Sequence, residues 1–232
     1  MTPPADQPGT SPATPPGTSL DESLRALRVL PVVEVADAAQ AVPLARALAA
    51  GGLPAMEVTL RTGAALDAIA TVARELPDFL LGAGTLLTPD DVERAAGAGA
   101  QFLVSPGRTD ALDAAARASG LPFVPGVATA SEALAAVGAG RRLLKLFPAA
   151  QVGGAAGVRS LAAPLRAAGV TFMPTGGVRP DTLLDYLAVP EVVAVGGTWI
   201  TPRPLVEAGD HAAITALAAA AVAAARTQES PA

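Results

Sequence analysis

The chain has 232 residues, of which 51% are hydrophobic and 16% charged, and its formal charge is −5. This length allows one sizeable core, and the acidic balance disfavours binding to nucleic acid through phosphate contacts. Seven aromatic residues offer little for base stacking. The chain has no cysteine and one histidine, His211. This composition excludes a disulfide framework, a thiolate nucleophile and a metal site built from several imidazoles.

Residues 1–19 are rich in proline, threonine, serine and glycine. They lack the basic start and apolar core of a signal peptide, so we expect a disordered tail. We expect one domain at 20–226 and a short C-terminal tail at 227–232. No apolar run is long and unbroken enough to span a bilayer, so the prediction is a cytoplasmic protein without membrane association.

Short runs of valine, leucine and phenylalanine alternate with alanine-rich helical patterns along the rest of the chain. Helix signals include the pattern at 38–50 that stops at Gly51, the N-cap Thr88 before Pro89, and the capping-box spacing of Thr129 and Glu132. We predict eight mostly apolar strands, at 28–35, 55–60, 79–83, 102–105, 123–126, 143–147, 171–174 and 192–195.

Eight strand-then-helix units predict an α/β fold, specifically a (β/α)₈ TIM barrel. An open doubly wound sheet would look similar locally. However, no G-x-G-x-x-G follows the first strand to support one. In a barrel, catalytic groups lie at the carboxyl-terminal ends of the strands, so the polar residues there are the candidates.

The second strand carries polar side chains on one face. Glu57, Thr59 and Arg61 alternate with Val58 and Leu60, so a carboxylate and a guanidinium would project into the barrel near its top. A purely structural ion pair is the alternative interpretation.

The sixth strand holds the only lysine of the chain, Lys145, since the other fifteen basic residues are arginine. Alternation turns Leu143, Lys145 and Phe147 inward. Burial there disfavours the charged ammonium, and a neutral amine is a nucleophile toward a ketone, a role that arginine cannot take. The alternative is a lysine whose head reaches the solvent at the barrel mouth.

Glycine pairs follow the last two predicted strands, Gly176-Gly177 and Gly196-Gly197. Barrel enzymes often bind phosphate with the loops after these strands, and bare glycine amides let the backbone approach an anion. Each pair alone is also compatible with a plain turn. Small residues at the ends of strands three and four, GAGT at 82–85 and SPG at 105–107, leave room for a substrate.

Together these segments resemble the 2-keto-3-deoxy-6-phosphogluconate aldolases, which often also act on 4-hydroxy-2-oxoglutarate. The resemblance runs in order from about residue 24 to 225. Its segments are GGLPAMEVTLRT at 51–62, GAGTLLTP at 82–89, SPG at 105–107, PGVAT at 125–129, KLFPA at 145–149, PTGG at 174–177 and GGTW at 196–199.

The resemblance implies a class I aldolase without metal or cofactor, usually a homotrimer, acting on a small keto-acid phosphate. It implies Lys145 as the Schiff-base lysine and Glu57 as the general acid/base. Substrate contacts are implied for Arg61, Thr85, Pro106, Phe147 and Thr175, and phosphate contacts for Gly176, Gly177, Gly197 and Thr198.

Two positions depart from the family pattern. Thr198 stands where serine is usual, which retains the hydroxyl. Glu34 stands at a usually apolar position of the first strand. Its carboxylate could lie at the bottom or wall of the barrel, or point outward.

Three other functions stay open from the sequence. The nearest is cleavage of 2-dehydro-3-deoxy-6-phosphogalactonate, the C4 epimer. A second is a phosphate-binding epimerase or synthase, although such barrels need metal ligands or paired acids that we do not find. The third is a non-catalytic sugar-phosphate-binding barrel. The presence of both Lys145 and Glu57 argues against it.

Overall fold

The computed structural model describes residues 19–227. Nearly all of the predicted tail at 1–19, and residues 228–232 of the predicted C-terminal tail, lie outside this range. The helices are α1 (Leu20–Leu27), α2 (Ala41–Ala50), α3 (Ala65–Glu75), α4 (Pro89–Gly97), α5 (Asp110–Ser119), α6 (Ala130–Gly138), α7 (Gly154–Ala162), α8 (Leu183–Leu187), α9 (Arg203–Ala208) and α10 (His211–Arg226), with 3-10 helices at Ala38–Gln40 and Ala163–Ala168.

The strands are β1 (Val29–Val33), β2 (Ala55–Thr59), β3 (Leu80–Gly84), β4 (Phe102–Val104), β5 (Phe123–Val124), β6 (Gly126–Val127), β7 (Leu143–Leu146), β8 (Thr171–Phe172) and β9 (Val195–Gly197). They pair in parallel, in a six-stranded sheet of order β5-β4-β3-β2-β1-β9 and a three-stranded sheet of order β6-β7-β8. Isolated parallel bridges join Phe172 to Val192 and Thr175 to Gly196. The described chain is an α/β fold with a curled parallel sheet, and helices follow its strands.

Several predicted strands are shorter in the structure, among them 28–35 and 171–174, which are observed as Val29–Val33 and Thr171–Phe172, and two others differ more. The strand predicted at 123–126 is divided at Pro125, since proline has no N–H to donate across a sheet. The Pro125 carbonyl still accepts a hydrogen bond from the Lys145 N–H at 2.9 Å. The last strand begins at Val195, where the prediction ended it, so Gly196 and Gly197 lie within the strand and not after it.

Strand alternation divides the apolar side chains into two clusters, as predicted. Leu144 and Leu146 of β7 belong to the large cluster formed with the helices, whereas Leu143 packs against a smaller cluster. The smaller cluster contains Phe102 from β4, Met173 from the segment that follows β8, and Leu24 from α1. The curled sheet therefore has an apolar interior on its amino-terminal side, covered by α1, and its polar residues lie toward the other end.

Capping side chains begin several helices. Thr88 and Thr129 each form a capping box with the acidic residue three positions later, as their spacing predicts. Ser19, placed in the tail by the sequence prediction, forms a third capping box and begins α1. Arg28, predicted as the first residue of a strand, ends α1 in the left-handed conformation instead.

A buried carboxylate connects the segment before β7 to the loop after β4. Asp113 of α5 is 3% exposed and accepts hydrogen bonds from Arg108 at 2.5 Å and from Arg141 at 2.7 Å. Arg141 also lies over the ring of Phe123, 5.1 Å from its centroid. One of the two arginines that precede β7 thus anchors the strand that carries Lys145.

Within the described residues, no helix combines the length and the apolarity needed to cross a membrane.

The capping box of α6 allows a test of local stability. Thr129→Ala removes the acceptor for the Glu132 N–H, and we expect it to lower the free energy of unfolding by about 1 kcal/mol and the melting temperature by roughly 2–4 °C. The control is Ser131→Ala, an exposed position in the same helix turn. Thermal denaturation followed by circular dichroism measures both. Equal melting temperatures for the two variants would contradict a contribution from the cap.

Candidate active site

A cavity of about 220 Å³ opens at the carboxyl-terminal ends of the strands, on the polar side of the curled sheet. Nine of the eleven residues predicted for the site line it. They are Glu57, Arg61, Lys145, Phe147, Thr175, Gly176, Gly177, Gly197 and Thr198. The sequence therefore predicted most of one cavity from segments that are far apart in the chain.

A buried ion pair lines this cavity. Lys145 Nζ donates to Glu57 Oε1 at 3.0 Å and lies 3.5 Å from Oε2. The lysine side chain is 7% exposed and the glutamate side chain is fully buried. The lysine head does not reach the solvent, so the alternative of an amine at the barrel mouth is wrong. In a low-dielectric site each partner depends on the other to offset its lost hydration.

Gly84 leaves the space that the Glu57 carboxylate occupies. A Cβ atom on Gly84 would lie 2.1 Å from Glu57 Oε1 and 2.6 Å from Glu57 Cγ, far inside van der Waals contact. Gly84 is the last residue of β3, next to β2 in the sheet. The glycine of the GAGT segment therefore allows the carboxylate to reach Lys145. This positioning role was missed by the sequence analysis, which treated the glycine as room for a substrate.

Two further side chains flank the ion pair. The Phe147 ring lies 5.6 Å from Lys145 Nζ, a distance at which the face of an aromatic ring attracts a cation. Arg61 follows β2, is exposed to solvent and lines the cavity. Its guanidinium makes no hydrogen bond or ion pair within the described range, so its planar fork can donate hydrogen bonds to an anion that enters.

The loops after β8 and at the end of β9 form the other wall. Gly176 and Gly177 have φ angles of 95° and 74°, which glycine adopts without strain. Thr175 is 5% exposed, and a Cβ atom on Gly196 would lie 2.3 Å from its Oγ1. The glycines at these positions bring the two chain segments together, and their backbone lines the cavity beside the exposed Thr198.

Thr85 and Pro106 are the two predicted residues that do not line this cavity. Both follow strands at the same edge of the sheet. Thr85 has a φ of 61°, a conformation that is strained for a β-branched residue. The Pro106 carbonyl faces Gly126, where a Cβ atom would lie 2.1 Å from the oxygen.

Four lining residues were not among the predicted site residues: Val32, Thr59, Val178 and Gly196. Strand alternation could have found two of them, since Thr59 shares a face with Glu57, and Val32 shares one with Leu30 in the inner cluster. Glu34 follows β1 at the carboxyl-terminal edge of the sheet. It therefore lies at the end opposite the bottom of the sheet, and it lines a second, neighbouring cavity.

Comparison with known proteins agrees with this geometry. The family model described as KDPG and KHG aldolase matches residues 20–217. The KHG/KDPG aldolase of Escherichia coli strain K12 is 43% identical over 205 residues, which is 88% of this chain and 95% of that protein. The chain belongs to the KDPG and KHG aldolase family, and the resemblance inferred from the sequence is confirmed.

Two solved structures are similar in both sequence and fold. The KDPG aldolase of Legionella pneumophila, with pyruvate captured as a covalent carbinolamine intermediate, has a TM-score of 0.84 and 38% identity over 88% of this chain and 98% of its own. The Zymomonas mobilis ZM4 aldolase with 3-phosphoglycerate has a TM-score of 0.81 and 41% identity over 88% of this chain and 95% of its own.

The close contact at Gly84 predicts a catalytic defect. In Gly84→Ala the new methyl group displaces the Glu57 carboxylate, and we expect kcat to fall by roughly 10²-fold, as for loss of positioning in an active site. Because φ at Gly84 is not positive, the alanine backbone itself is unstrained. Steady-state kinetics on protein shown by circular dichroism to be folded provides the measurement.

Gly63→Ala is the matched control, because no atom lies within 4 Å of its added Cβ. It should retain wild-type kcat. A Gly84→Ala enzyme with unchanged kcat would show that Glu57 does not need the position seen here.

Proposed function

We propose that this chain is a Schiff-base aldolase that cleaves 2-dehydro-3-deoxy-6-phosphogluconate to pyruvate and glyceraldehyde 3-phosphate, and also 4-hydroxy-2-oxoglutarate to pyruvate and glyoxylate. The observation that carries the proposal is the buried contact of 3.0 Å between Lys145 Nζ and Glu57 Oε1. It supplies an amine and a proton acceptor within one cavity. The phosphogluconate name of the Zymomonas relative supports this substrate over its C4 epimer.

The ion pair itself can generate the nucleophile. Transfer of one proton from Lys145 to Glu57 gives a neutral amine and a neutral acid, without changing the net charge of the cavity. The low dielectric of a buried site favours such a neutral pair more than water does. The amine then attacks C2 of the keto acid, and the proton held by Glu57 assists loss of water to form the iminium.

Cleavage uses the same two residues. The iminium at Lys145 withdraws electrons from C3, and Glu57 accepts the proton of the C4 hydroxyl as the C3–C4 bond breaks. The electron pair of that bond becomes the enamine, and C4 leaves as the aldehyde. Glu57 then returns its proton to the enamine carbon, and addition of water to the iminium releases pyruvate and restores the amine of Lys145.

The remaining lining residues would orient the substrate. Arg61 can bind the carboxylate next to the keto group in a bidentate manner, since its fork has no partner in the described chain. The backbone of Gly176, Gly177 and Gly197, with the hydroxyl of Thr198, would hold the phosphate. Contacts from Thr85 and Pro106 stay predictions, since neither lines the cavity.

We also propose that the two sheets form one closed (β/α)₈ barrel. The bridges from Phe172 to Val192 and from Thr175 to Gly196 support closure on one side, and the single segment that carries β5 and β6 supports it on the other. From the family resemblance we still expect a homotrimer located in the cytoplasm.

Covalent trapping tests the proposed nucleophile. Treatment with pyruvate and borohydride should add one reduced pyruvate to Lys145, because borohydride reduces the iminium to a stable secondary amine. Peptide mass spectrometry locates the adduct. Lys145→Arg and Lys145→Met should both abolish turnover, since neither side chain can form an imine.

Two variants are needed because a larger guanidinium could disturb the buried site, whereas methionine keeps a similar length without charge. Arg142→Ala, which removes an exposed basic residue from the same region, should keep both the adduct and the activity. Cleavage of substrate by either Lys145 variant would refute the covalent route.

The substrate preference needs a separate test. Pyruvate release, measured with a coupled lactate dehydrogenase assay, should give a higher kcat/KM for 2-dehydro-3-deoxy-6-phosphogluconate than for the phosphogalactonate epimer. The physical reason is that inversion at C4 moves the hydroxyl away from the Glu57 carboxylate. A higher kcat/KM for the epimer would assign the alternative specificity.

A further inference from the structure

A second cavity of about 440 Å³ lies beside the active-site cavity, and Val32 and Thr198 line both. Its other lining residues are Glu34, Trp199, Thr201, Pro202 and Arg203. Since Thr198 is a residue of the proposed phosphate loop, a phosphate held there would stand at the boundary between the two cavities.

The size of the inner cavity indicates that substrate extends beyond it. At about 220 Å³ it is smaller than the roughly 300–1,000 Å³ typical of small-molecule sites. Lys145 and Glu57 line it, so under the proposed function the keto-acid half binds there. A chain that also carries a phosphate would therefore extend past Thr198 toward the second cavity.

The second cavity contains one cationic lining residue, Arg203, the first residue of α9. Its Nε donates to Glu207 Oε1 at 2.6 Å, which orients the guanidinium and leaves the terminal nitrogens available. The hydrogen bond to Glu207 and the nearby charge of Glu34 raise the pKa of Arg203, so this residue stays cationic.

The contact between Arg203 and Glu34 is easily exchanged. Arg203 Nη1 lies 3.6 Å from Glu34 Oε1, and the two side chains are 67% and 37% exposed. Pairs of this kind are weak, because water screens the attraction. A phosphate carries more negative charge than one carboxylate and presents several acceptors to the guanidinium, so it is the stronger partner.

We propose that Arg203 is a specificity-determining residue that binds the phosphate of the leaving aldehyde half from the second cavity, and that Glu34 competes with this phosphate for the guanidinium. This inference rests on the proposed function, since it concerns the distal end of the same substrate. Glu34 holds Arg203 while the site is empty and releases it when a phosphate arrives. An unphosphorylated substrate gains nothing from the exchange.

A comparison of two substrates tests this proposal. We measure the ratio of kcat/KM for 2-dehydro-3-deoxy-6-phosphogluconate to kcat/KM for 4-hydroxy-2-oxoglutarate. The latter has no phosphate, and its distal carboxylate is bonded directly to C4, so it does not extend as far toward the second cavity. In Arg203→Ala and Arg203→Gln the ratio should fall about tenfold, the effect of losing one hydrogen bond to a charged group. The fall should appear mainly in KM and shrink at high salt.

Glu34→Gln should change the ratio in the opposite direction, raising it about twofold to fivefold, because the competing charge is removed. The control is Arg94→Ala, which removes the same charge from another exposed arginine paired with a carboxylate four residues away, on a helix that lines neither cavity. Its ratio should equal that of the wild type.

Two results would overturn the assignment of Arg203: an unchanged ratio in both Arg203 variants, or an equal fall in kcat/KM for both substrates. If the wild-type protein released pyruvate from neither substrate, the proposed function would fail as well. If only the assignment of Arg203 is wrong, the wild-type protein still releases pyruvate, which distinguishes this failure from failure of the proposed function.

Discussion

A carboxylate and an ammonium held 3.0 Å apart inside the fold form the interaction on which the rest of this site depends. A charged Glu57 or Lys145 without its partner would be an uncompensated buried charge. Removing one partner of such a pair typically lowers the free energy of unfolding by about 3–5 kcal/mol. In the proposed mechanism the pair also supplies the reacting groups, because a proton can move within it without leaving an uncompensated charge. Each side chain therefore depends on the other for its burial, although the pair as a whole need not stabilise the fold.

The surrounding fold allows a buried ion pair because apolar packing and the polar groups of the site lie in different parts of the interior. Outward-facing strand residues such as Leu144 pack with the helices in a large apolar cluster, and the smaller inner cluster is covered by Leu24 of α1. The other end of the interior can then carry polar groups. Gly84 contributes by lacking a side chain, since any larger residue would overlap the Glu57 carboxylate.

In the proposed binding mode, the inner cavity takes the keto-acid half of the substrate and the second cavity takes its phosphate. The amine of Lys145 and the acid of Glu57 line the inner cavity and are themselves buried, which strengthens their electrostatic interaction. The second cavity is bordered by Glu34 and Arg203, which are partly exposed and weakly paired. A charged phosphate can therefore bind near solvent, without being carried into the low-dielectric part of the site.

The sequence by itself determined the α/β alternation, the caps at Thr88 and Thr129, and the inward position of Lys145, because each depends on residues close together in the chain. The family motifs also predicted most of the residues that line the active-site cavity. Only the tertiary structure decided what depends on contacts between distant segments. Examples are the role of Gly84 beside Glu57, the late start of β9, and the location of Glu34 opposite Arg203. Periodicity shows which face a side chain takes, but the partner on that face is chosen by sheet register and loop packing.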